Sequence, residues 1–79
     1  MRIDKFLKVS RLIKRRTIAN EACDAGRIKA NGRTVKASYD VAVGDELEIS
    51  FGEKTIKVEV TAIKETTKKD EASDMFKYL

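Results

Sequence analysis

Apolar and basic residues alternate near the start of the chain with the period of an amphipathic helix. Across residues 3–8, Ile3, Phe6 and Leu7 fall in one arc when successive side chains are placed ~100° apart, and the basic residues fall outside it. This spacing predicts a short helix that buries its apolar face and exposes positive charge on the other side.

A second short helix is predicted over residues 18–25. Thr17 has the side chain of an N-cap residue, and Gly26 can supply the left-handed conformation that commonly ends a helix. The residues expected on its packed side are Ile18, Ala22 and Ala25. Four small residues, Ala19, Ala22, Cys23 and Ala25, would let the helix approach its neighbours closely.

Downstream of the second helix, the hydrophobic period changes from helical to alternating, which indicates strands. Asn31-Gly32 lies between two short runs, and a type I′ hairpin turn needs positive φ at both central residues, which Asn and Gly tolerate. Residues 47–51 and 56–62 alternate apolar with polar side chains and predict two antiparallel strands. Two aromatic side chains are expected in the core, those of Tyr39 and Phe51.

The segment from residue 64 onward does not continue this alternation. Residues 64–74 contain almost no apolar side chain and predict a solvated extension. An apolar group follows, made of Met75, Phe76, Tyr78 and Leu79. That group predicts either a short helical tail docked on the body or an adhesive segment for a partner. The expected organisation is one domain over residues 1–63, followed by a polar linker and a short tail over 64–79.

Length and composition restrict the class of protein. With 79 residues, 42% hydrophobic and 38% charged, the chain has room for one domain with a modest core and a densely charged surface. No apolar run approaches the ~20 residues of a membrane-spanning helix, so a cytoplasmic protein without membrane contact is expected. Cys23 is the single cysteine and histidine is absent, which excludes an internal disulfide and argues against a metal or other cofactor.

Charge is divided unevenly along the chain. Residues 1–36 hold eleven lysines and arginines against three acids, whereas residues 37–79 hold six lysines against ten acids. A fold that displays its first half on one face would present a concentrated positive field to a polyanion. Most charge runs are solvated surface only, but this asymmetry favours nucleic acid as the partner.

Eleven residues of the first half are candidates for RNA contact. Arg2 and Arg16 rank first, because a guanidinium can bind phosphate or a base edge through two parallel hydrogen bonds. Arg27 and Lys29, beside the hairpin, rank next, and Gly32 would permit close approach of the backbone. The full set is Arg2, Lys5, Lys8, Arg11, Lys14, Arg15, Arg16, Arg27, Lys29, Asn31 and Gly32.

Other polar residues in this half are interpreted as structural. Asp4 is expected to orient a nearby arginine or to cap the first helical turn rather than to touch RNA. Cys23 is expected to be a packing residue, and Ser10 and Thr17 lack a partner base that could activate them as nucleophiles. The sequence therefore predicts no catalytic residue and no small-molecule substrate.

Several short motifs occur together in an order that resembles S4-type RNA-binding domains, over residues 2–51. They are Arg2-Ile3-Asp4-Lys5-Phe6-Leu7, Ser10-Arg11-Leu12-Ile13-Lys14-Arg15-Arg16-Thr17, Gly26-Arg27-Ile28, Asn31-Gly32 and Val43-Gly44-Asp45-Glu46-Leu47. Each motif alone is weak, and the combination is specific. The resemblance implies an α+β fold in which two short N-terminal helices and the tight hairpin, the alpha-L RNA-binding motif, pack on a small antiparallel sheet.

Within that family, the chain resembles the free-standing members linked to ribosome-associated quality control and, more distantly, the small ribosome-binding heat-shock protein of enteric bacteria. The resemblance implies a non-catalytic monomer that binds rRNA of the large ribosomal subunit and tRNA. It also implies support of the C-terminal tailing of stalled nascent chains, with the tailing factor as a protein partner.

Two alternatives stay open on the sequence alone. One is the RNA-binding accessory module of an RNA-modifying enzyme. The other is a protein-interaction module on the ribosome that uses the strand face and the C-terminal tail. The heat-shock relative carries a longer basic C-terminal extension, so any RNA contact of that extension does not transfer to this chain.

Overall fold

Two short helices open the fold. The computed structural model describes residues 1–65, 68 and 71–79. Helix α1 spans Ile3–Val9 and helix α2 spans Arg16–Asp24, so the first predicted helix is confirmed. Asp4 lies in the first turn of α1 and Lys8 in its last, which complements the helix dipole. No helix within these residues is long and apolar enough to cross a membrane.

Helix α2 begins two residues before its predicted start and buries a different face. Arg15 precedes it in an extended conformation without a side-chain cap, so the prediction of Thr17 as N-cap is wrong. The buried residues are Ala19 and Cys23, and Ala22 packs against the core as predicted. Ile18 is 48% exposed and Ala25 is exposed, so the predicted packed side is wrong at these two residues. Because neighbouring side chains are ~100° apart around a helix, a small error in phase turns another face towards the core.

The predicted Asn31-Gly32 hairpin is confirmed. It joins strand β1 (Ile28–Ala30) to strand β2 (Arg33–Thr34). The φ angle is 52° at Asn31 and 82° at Gly32, as a type I′ turn requires. Gly26 follows α2 with a φ of 74°, the left-handed conformation predicted for the helix stop.

Five antiparallel strands form one sheet in the order β2-β1-β3-β4-β5. The remaining strands are β3 (Glu46–Phe51), β4 (Lys54–Val60) and β5 (Phe76–Tyr78). Strands β3 and β4 are the predicted antiparallel pair. Ile28 on β1 lies opposite Ile49 on β3, which lies opposite Ile56 on β4, so the register aligns apolar side chains across three strands.

The helices cover one face of the sheet, and a single hydrophobic core lies between the two layers. Its residues are Ile3, Phe6, Leu7, Ile13, Ala19, Cys23, Ile28, Ala30, Ala37, Val41, Leu47, Ile49, Val58, Val60 and Met75. The other face of the sheet, termed the outer face, carries the alternate strand residues. There Lys29 lies opposite Glu48, and Glu48 lies opposite Lys57. The α+β architecture predicted from the sequence is confirmed.

Phe51 is not part of this core. It ends β3 opposite Lys54 and is 44% exposed, so its prediction as a core residue is wrong. Tyr39 is half-buried and packs against the core, while its hydroxyl donates to Asp45. The strand alternation that marked Phe51 as apolar-facing continues beyond the area that the helices cover.

The C-terminal segment docks on the sheet as a strand. A 3-10 helix over Ala72–Met75 buries Met75 completely, and β5 then pairs with β4, with Tyr78 opposite Val58. The docked alternative is therefore confirmed but its helical form is wrong, because a strand satisfies the backbone groups at the edge of β4. Four residues of the predicted extension lie outside the described residues: Thr66, Thr67, Lys69 and Asp70.

Candidate nucleic-acid interface

A buried carboxylate, that of Asp4, organises the basic surface of the two helices. Its side chain is 3% exposed. Four groups donate to it: Arg2 Nη2 at 3.4 Å, Arg16 Nη2 at 3.5 Å, Asn20 Nδ2 at 3.3 Å and the Lys5 backbone N–H at 2.8 Å. Asp4 thus connects the residue before α1 to two residues of α2, and its predicted role in orienting arginine is confirmed.

The two arginines are fixed by the protein but keep free donors. Arg2 forms an isolated antiparallel bridge with Asp40, and the Ile3 N–H donates to the Tyr39 carbonyl at 2.7 Å, which holds the backbone beside it. The side chains of Arg2 and Arg16 are 51% and 48% exposed. Each guanidinium has five N–H donors, so both can bind phosphate oxygens or base edges while they remain on Asp4.

The surrounding donors keep the Asp4 carboxyl ionised. Burial acts to raise its pKa, but hydrogen bonds from Asn20, the Lys5 N–H and Arg16, together with the Arg16 charge, outweigh burial, and the pKa lies below its ordinary value. Both Arg2 Nε and Arg16 Nη2 contact the same oxygen, Oδ1. The negative charge on this carboxylate offsets the repulsion between two guanidiniums held close together.

The other candidate cations of the helical segments are arranged more loosely. Lys5 pairs with Glu65, which lies after β4, and this contact lowers the pKa of Glu65. The remaining members are exposed and form no ion pair with any residue that the structure describes. They are Lys8 on α1, and Arg11, Lys14 and Arg15 in the connection to α2.

The cations beside the hairpin are not joined to the arginine pair. Lys29 lies on the outer face of the sheet, where its register partners are Thr34 and Glu48, away from the side that the helices cover. Arg27 is exposed in the link between α2 and β1, and its carbonyl accepts from the Ser50 N–H at 3.0 Å. RNA contact by Arg27 and Lys29 stays a prediction, and Lys29 would require RNA to reach the outer face.

The Asn31 side chain forms hydrogen bonds with other residues of the protein. Its Nδ2 donates to Asp45 Oδ1 at 3.1 Å, and its Oδ1 accepts from the Glu46 N–H at 3.0 Å. Asp45 Oδ2 accepts from the Tyr39 hydroxyl and the Ala42 N–H, each at 2.9 Å. These hydrogen bonds, termed the hairpin clasp, fasten the β1–β2 turn to the turn before β3.

The hairpin clasp shifts two pKa values. Burial acts to raise the pKa of Asp45, but the donors from Ala42, Asn31 and Tyr39 prevail and lower it. The hydrogen bond to Asp45, with burial and the neighbouring charge, raises the pKa of Tyr39. Gly32, next to Asn31, has open space where a Cβ would stand, so the clasp leaves room beside the turn.

Asn20 is a site residue that the sequence did not indicate. An open pocket of about 380 Å³ lies beside Asp4 and is lined by Asp4, Arg16, Thr17, Asn20 and Glu21. Asn20 is four residues from Arg16 on a helix, and side chains at that spacing share a face. That spacing was a usable signal once Arg16 was known to belong to the helix.

The Cys23 thiol is not poised to act as a nucleophile. Burial, with the charges of Asp4 and Asp24, raises the pKa of the Cys23 thiol to about 11. Cys23 is buried in the core and therefore acts as a packing residue. No group of three or more potential metal ligands occurs within the described ranges.

Comparisons with a family model and with known proteins agree on the family to which this chain belongs. Residues 1–47 match the S4 domain family. The RQC P-site tRNA stabilizing factor of Bacillus subtilis (strain 168) is 60% identical over 79 residues, which cover 100% of this chain and 92% of that protein. The factor of the same name from Streptococcus pneumoniae is 52% identical over 79 residues, covering 100% and 90%.

Solved structures confirm the fold. The trimeric structure of Vibrio cholerae Heat Shock Protein 15 aligns with a TM-score of 0.93 at 24% identity. The alignment covers 100% of this chain and 81% of that chain. At this level of identity, the similarity supports the S4-like architecture alone.

Proposed function

Because this chain belongs to the S4 domain family, we propose that it is a non-catalytic RNA-binding factor of ribosome-associated quality control. Its RNA partners in this proposal are tRNA and rRNA of the large ribosomal subunit, and its place is in the cytoplasm on the ribosome. The relatives named RQC P-site tRNA stabilizing factor support the tRNA and the pathway. Support of C-terminal tailing, with the tailing factor as a partner, is part of the same proposal.

The observation that carries the proposal is the arginine pair on Asp4. Two half-exposed guanidiniums share one buried carboxylate, with contacts of 3.3 Å for Arg2 and 3.5 Å for Arg16. One negative charge cannot neutralise two positive ones, so the cluster keeps a net positive charge at a fixed position. Phosphate binding then loses little side-chain entropy, because Asp4 has already restricted both side chains.

The exposed cations next to the pair extend this surface. Lys8, Arg11, Lys14 and Arg15 add positive charge on and after α1. Contacts of this kind give affinity and register on a folded RNA without reading its sequence. A factor that holds tRNA on the large subunit needs such contacts and no chemistry, because it acts by stabilising one bound arrangement.

The test is cosedimentation of the full chain with purified large subunits that carry a P-site tRNA. Wild type should pellet with the subunits, and Arg16→Ala should lose most of this binding while its free energy of unfolding changes by less than about 1 kcal/mol. Lys54→Ala is the matched control: it removes one exposed cation from the β3–β4 hairpin and should bind as wild type does. Equal binding by Arg16→Ala would contradict the proposed surface.

Salt dependence gives an independent check on the same complex. If about five phosphates are neutralised, the plot of log K against log salt should have a slope of roughly −3.5 to −4.5. A flat plot would exclude phosphate contact as the source of affinity. Loss of subunit binding on removal of residues 76–79, with free RNA binding intact, would instead favour a protein-interaction module.

A further inference from the structure

The pocket beside Asp4 presents both hydrogen-bond donors and hydrogen-bond acceptors that no other residue of the protein uses within the described part of the chain. Asp4 itself is occupied by its four donors. Arg16 uses only Nη2 in that contact and keeps its other N–H groups. Asn20 donates to Asp4 through Nδ2, so its Oδ1 is left as an acceptor. No residue in the described part of the chain donates to the Glu21 carboxylate, which also lines the pocket.

These groups are ordered along α2. Arg16 and Asn20 are four residues apart, as are Thr17 and Glu21, so the four side chains form two adjacent columns on one side of the helix. The first turn of the helix therefore contributes the guanidinium donors. The second turn contributes the Asn20 amide oxygen and the Glu21 carboxylate. A ligand that spans the pocket meets a donor at one end and acceptors at the other.

A phosphate group can accept from Arg16 but does not match the other groups of the pocket. Its oxygens accept hydrogen bonds and cannot donate to Glu21 or to Asn20 Oδ1, and its negative charge is repelled by Glu21. A nucleobase carries acceptors and donors along one edge and can be read in this way when it is unstacked. Guanine places the O6 acceptor beside the donors N1–H and N2–H₂, which is the order that Arg16 followed by Glu21 would satisfy.

We infer that this pocket is a subsite for one unstacked guanine base of the bound RNA. Arg16 donates to O6, and the Glu21 carboxylate, with Asn20 Oδ1, accepts from N1–H and N2–H₂. The pocket is open to solvent, with a volume of about 380 Å³, so a base can enter it from the surface. The inference rests on the proposed function and adds a base preference to a surface that otherwise reads phosphate and shape.

The first test is an NMR titration of the full chain with three five-nucleotide RNAs of sequence UUGUU, UUAUU and UUUUU, up to millimolar concentration. UUGUU should bind about tenfold more tightly than the other two, since one good two-bond base contact discriminates at this level. The Arg16 Nε–H and the Asn20 side-chain amide signals should shift with UUGUU. Equal affinities, or no shift of these signals at millimolar RNA, would overturn the inference.

The second test uses the direction in which RNA affinity changes when one negative charge is removed. This direction differs between base recognition and phosphate attraction. Glu21→Gln and Glu53→Gln each remove one exposed negative charge, but Glu53 lies in the β3–β4 turn. If the RNA contacted the protein only through its phosphates, both variants would bind all three RNAs slightly more tightly. With a guanine subsite, Glu21→Gln should reduce the preference for UUGUU by about tenfold, and Glu53→Gln should leave it unchanged.

The outcomes are distinguishable from failure of the proposed function. Wild type that binds large subunits with tRNA but shows no guanine preference overturns the subsite alone. Retention of the full preference by Glu21→Gln also overturns it. Wild type that binds neither the subunits nor any RNA contradicts the proposed function itself.

Discussion

The surface around Asp4 and the outer face of the sheet are both rich in charge, but they arrange it in opposite ways. On the outer face, Lys57 lies 3.9 Å from Glu48 and Lys77 lies 3.7 Å from Glu59. Each of these cations has its own acid on the neighbouring strand. The lysine side chains are exposed and the glutamate side chains are partly exposed. Around Asp4, two arginines share one acid, and that acid is buried.

The difference shows that position, rather than the number of cations, makes an anion-binding surface. Cross-strand pairs cancel their own field and contribute about 0–1 kcal/mol each, because water screens them. The shared carboxylate of Asp4 leaves one positive charge in excess and fixes where it lies. Both regions contain acidic and basic side chains, but their arrangement makes the outer face nearly neutral and the surface around Asp4 basic.

The largest expected effect comes from removal of the shared acid. Asp4→Ala deletes a buried carboxylate with four donors and should lower the free energy of unfolding by about 2 kcal/mol, since Arg2 and Arg16 are half-exposed and recover hydration. Glu48→Gln, which removes the partly exposed acid of a cross-strand pair, should change it by less than about 0.5 kcal/mol. Urea unfolding measures both, and equal costs would abolish the contrast between the two surfaces.

A smaller effect is expected from the hairpin clasp. In Asp45→Asn, the new amide keeps its oxygen towards Tyr39 and the Ala42 N–H, so its NH₂ group faces the NH₂ group of Asn31. The cost should be about 1 kcal/mol, because the hydrogen bond is partly exposed. The swap Asn31→Asp with Asp45→Asn exchanges donor and acceptor and should recover at least half of this loss in urea unfolding. Simple addition of the two single costs would show that the clasp is not a coupled unit.

The smallest expected effect is a dependence of stability on acid pH. The folded-state pKa values of Asp4 and Asp45 are lowered from the ordinary value of 3.8. The stability they contribute is therefore fully present above about pH 4 and is lost as pH falls through their folded values. Urea midpoints taken from neutral to acid pH should be flat and then decline, and the decline should weaken in Asp4→Asn. A decline that starts near neutral pH would implicate other groups.

Much of the local structure could be predicted from the sequence. The arc of Ile3, Phe6 and Leu7 predicted α1, and Asn31-Gly32 predicted the hairpin, because a period or a φ requirement acts within a few residues. The alternation of β3 and β4 predicted their pairing. The excess of cations in the first half and the role of Asp4 beside an arginine also followed from the sequence.

Contacts between distant residues were decided only by the tertiary structure. The phase of α2, which buries Ala19 and exposes Ile18, depends on how the helix seats on the core. The pairing of β5 with β4 depends on an open sheet edge that residues 76–78 do not encode by themselves.

The candidate site can also be divided into what the sequence predicted and what the tertiary structure decided. The sequence by itself determined that Arg2, Arg16 and Lys29 were cations in the basic half of the chain. The fold brought Arg2 and Arg16 to one carboxylate oxygen and placed Lys29 on the outer face. Residue type and period act over short range in the chain, whereas a shared electrostatic site depends on distances in space, which only the packing of helices on the sheet sets.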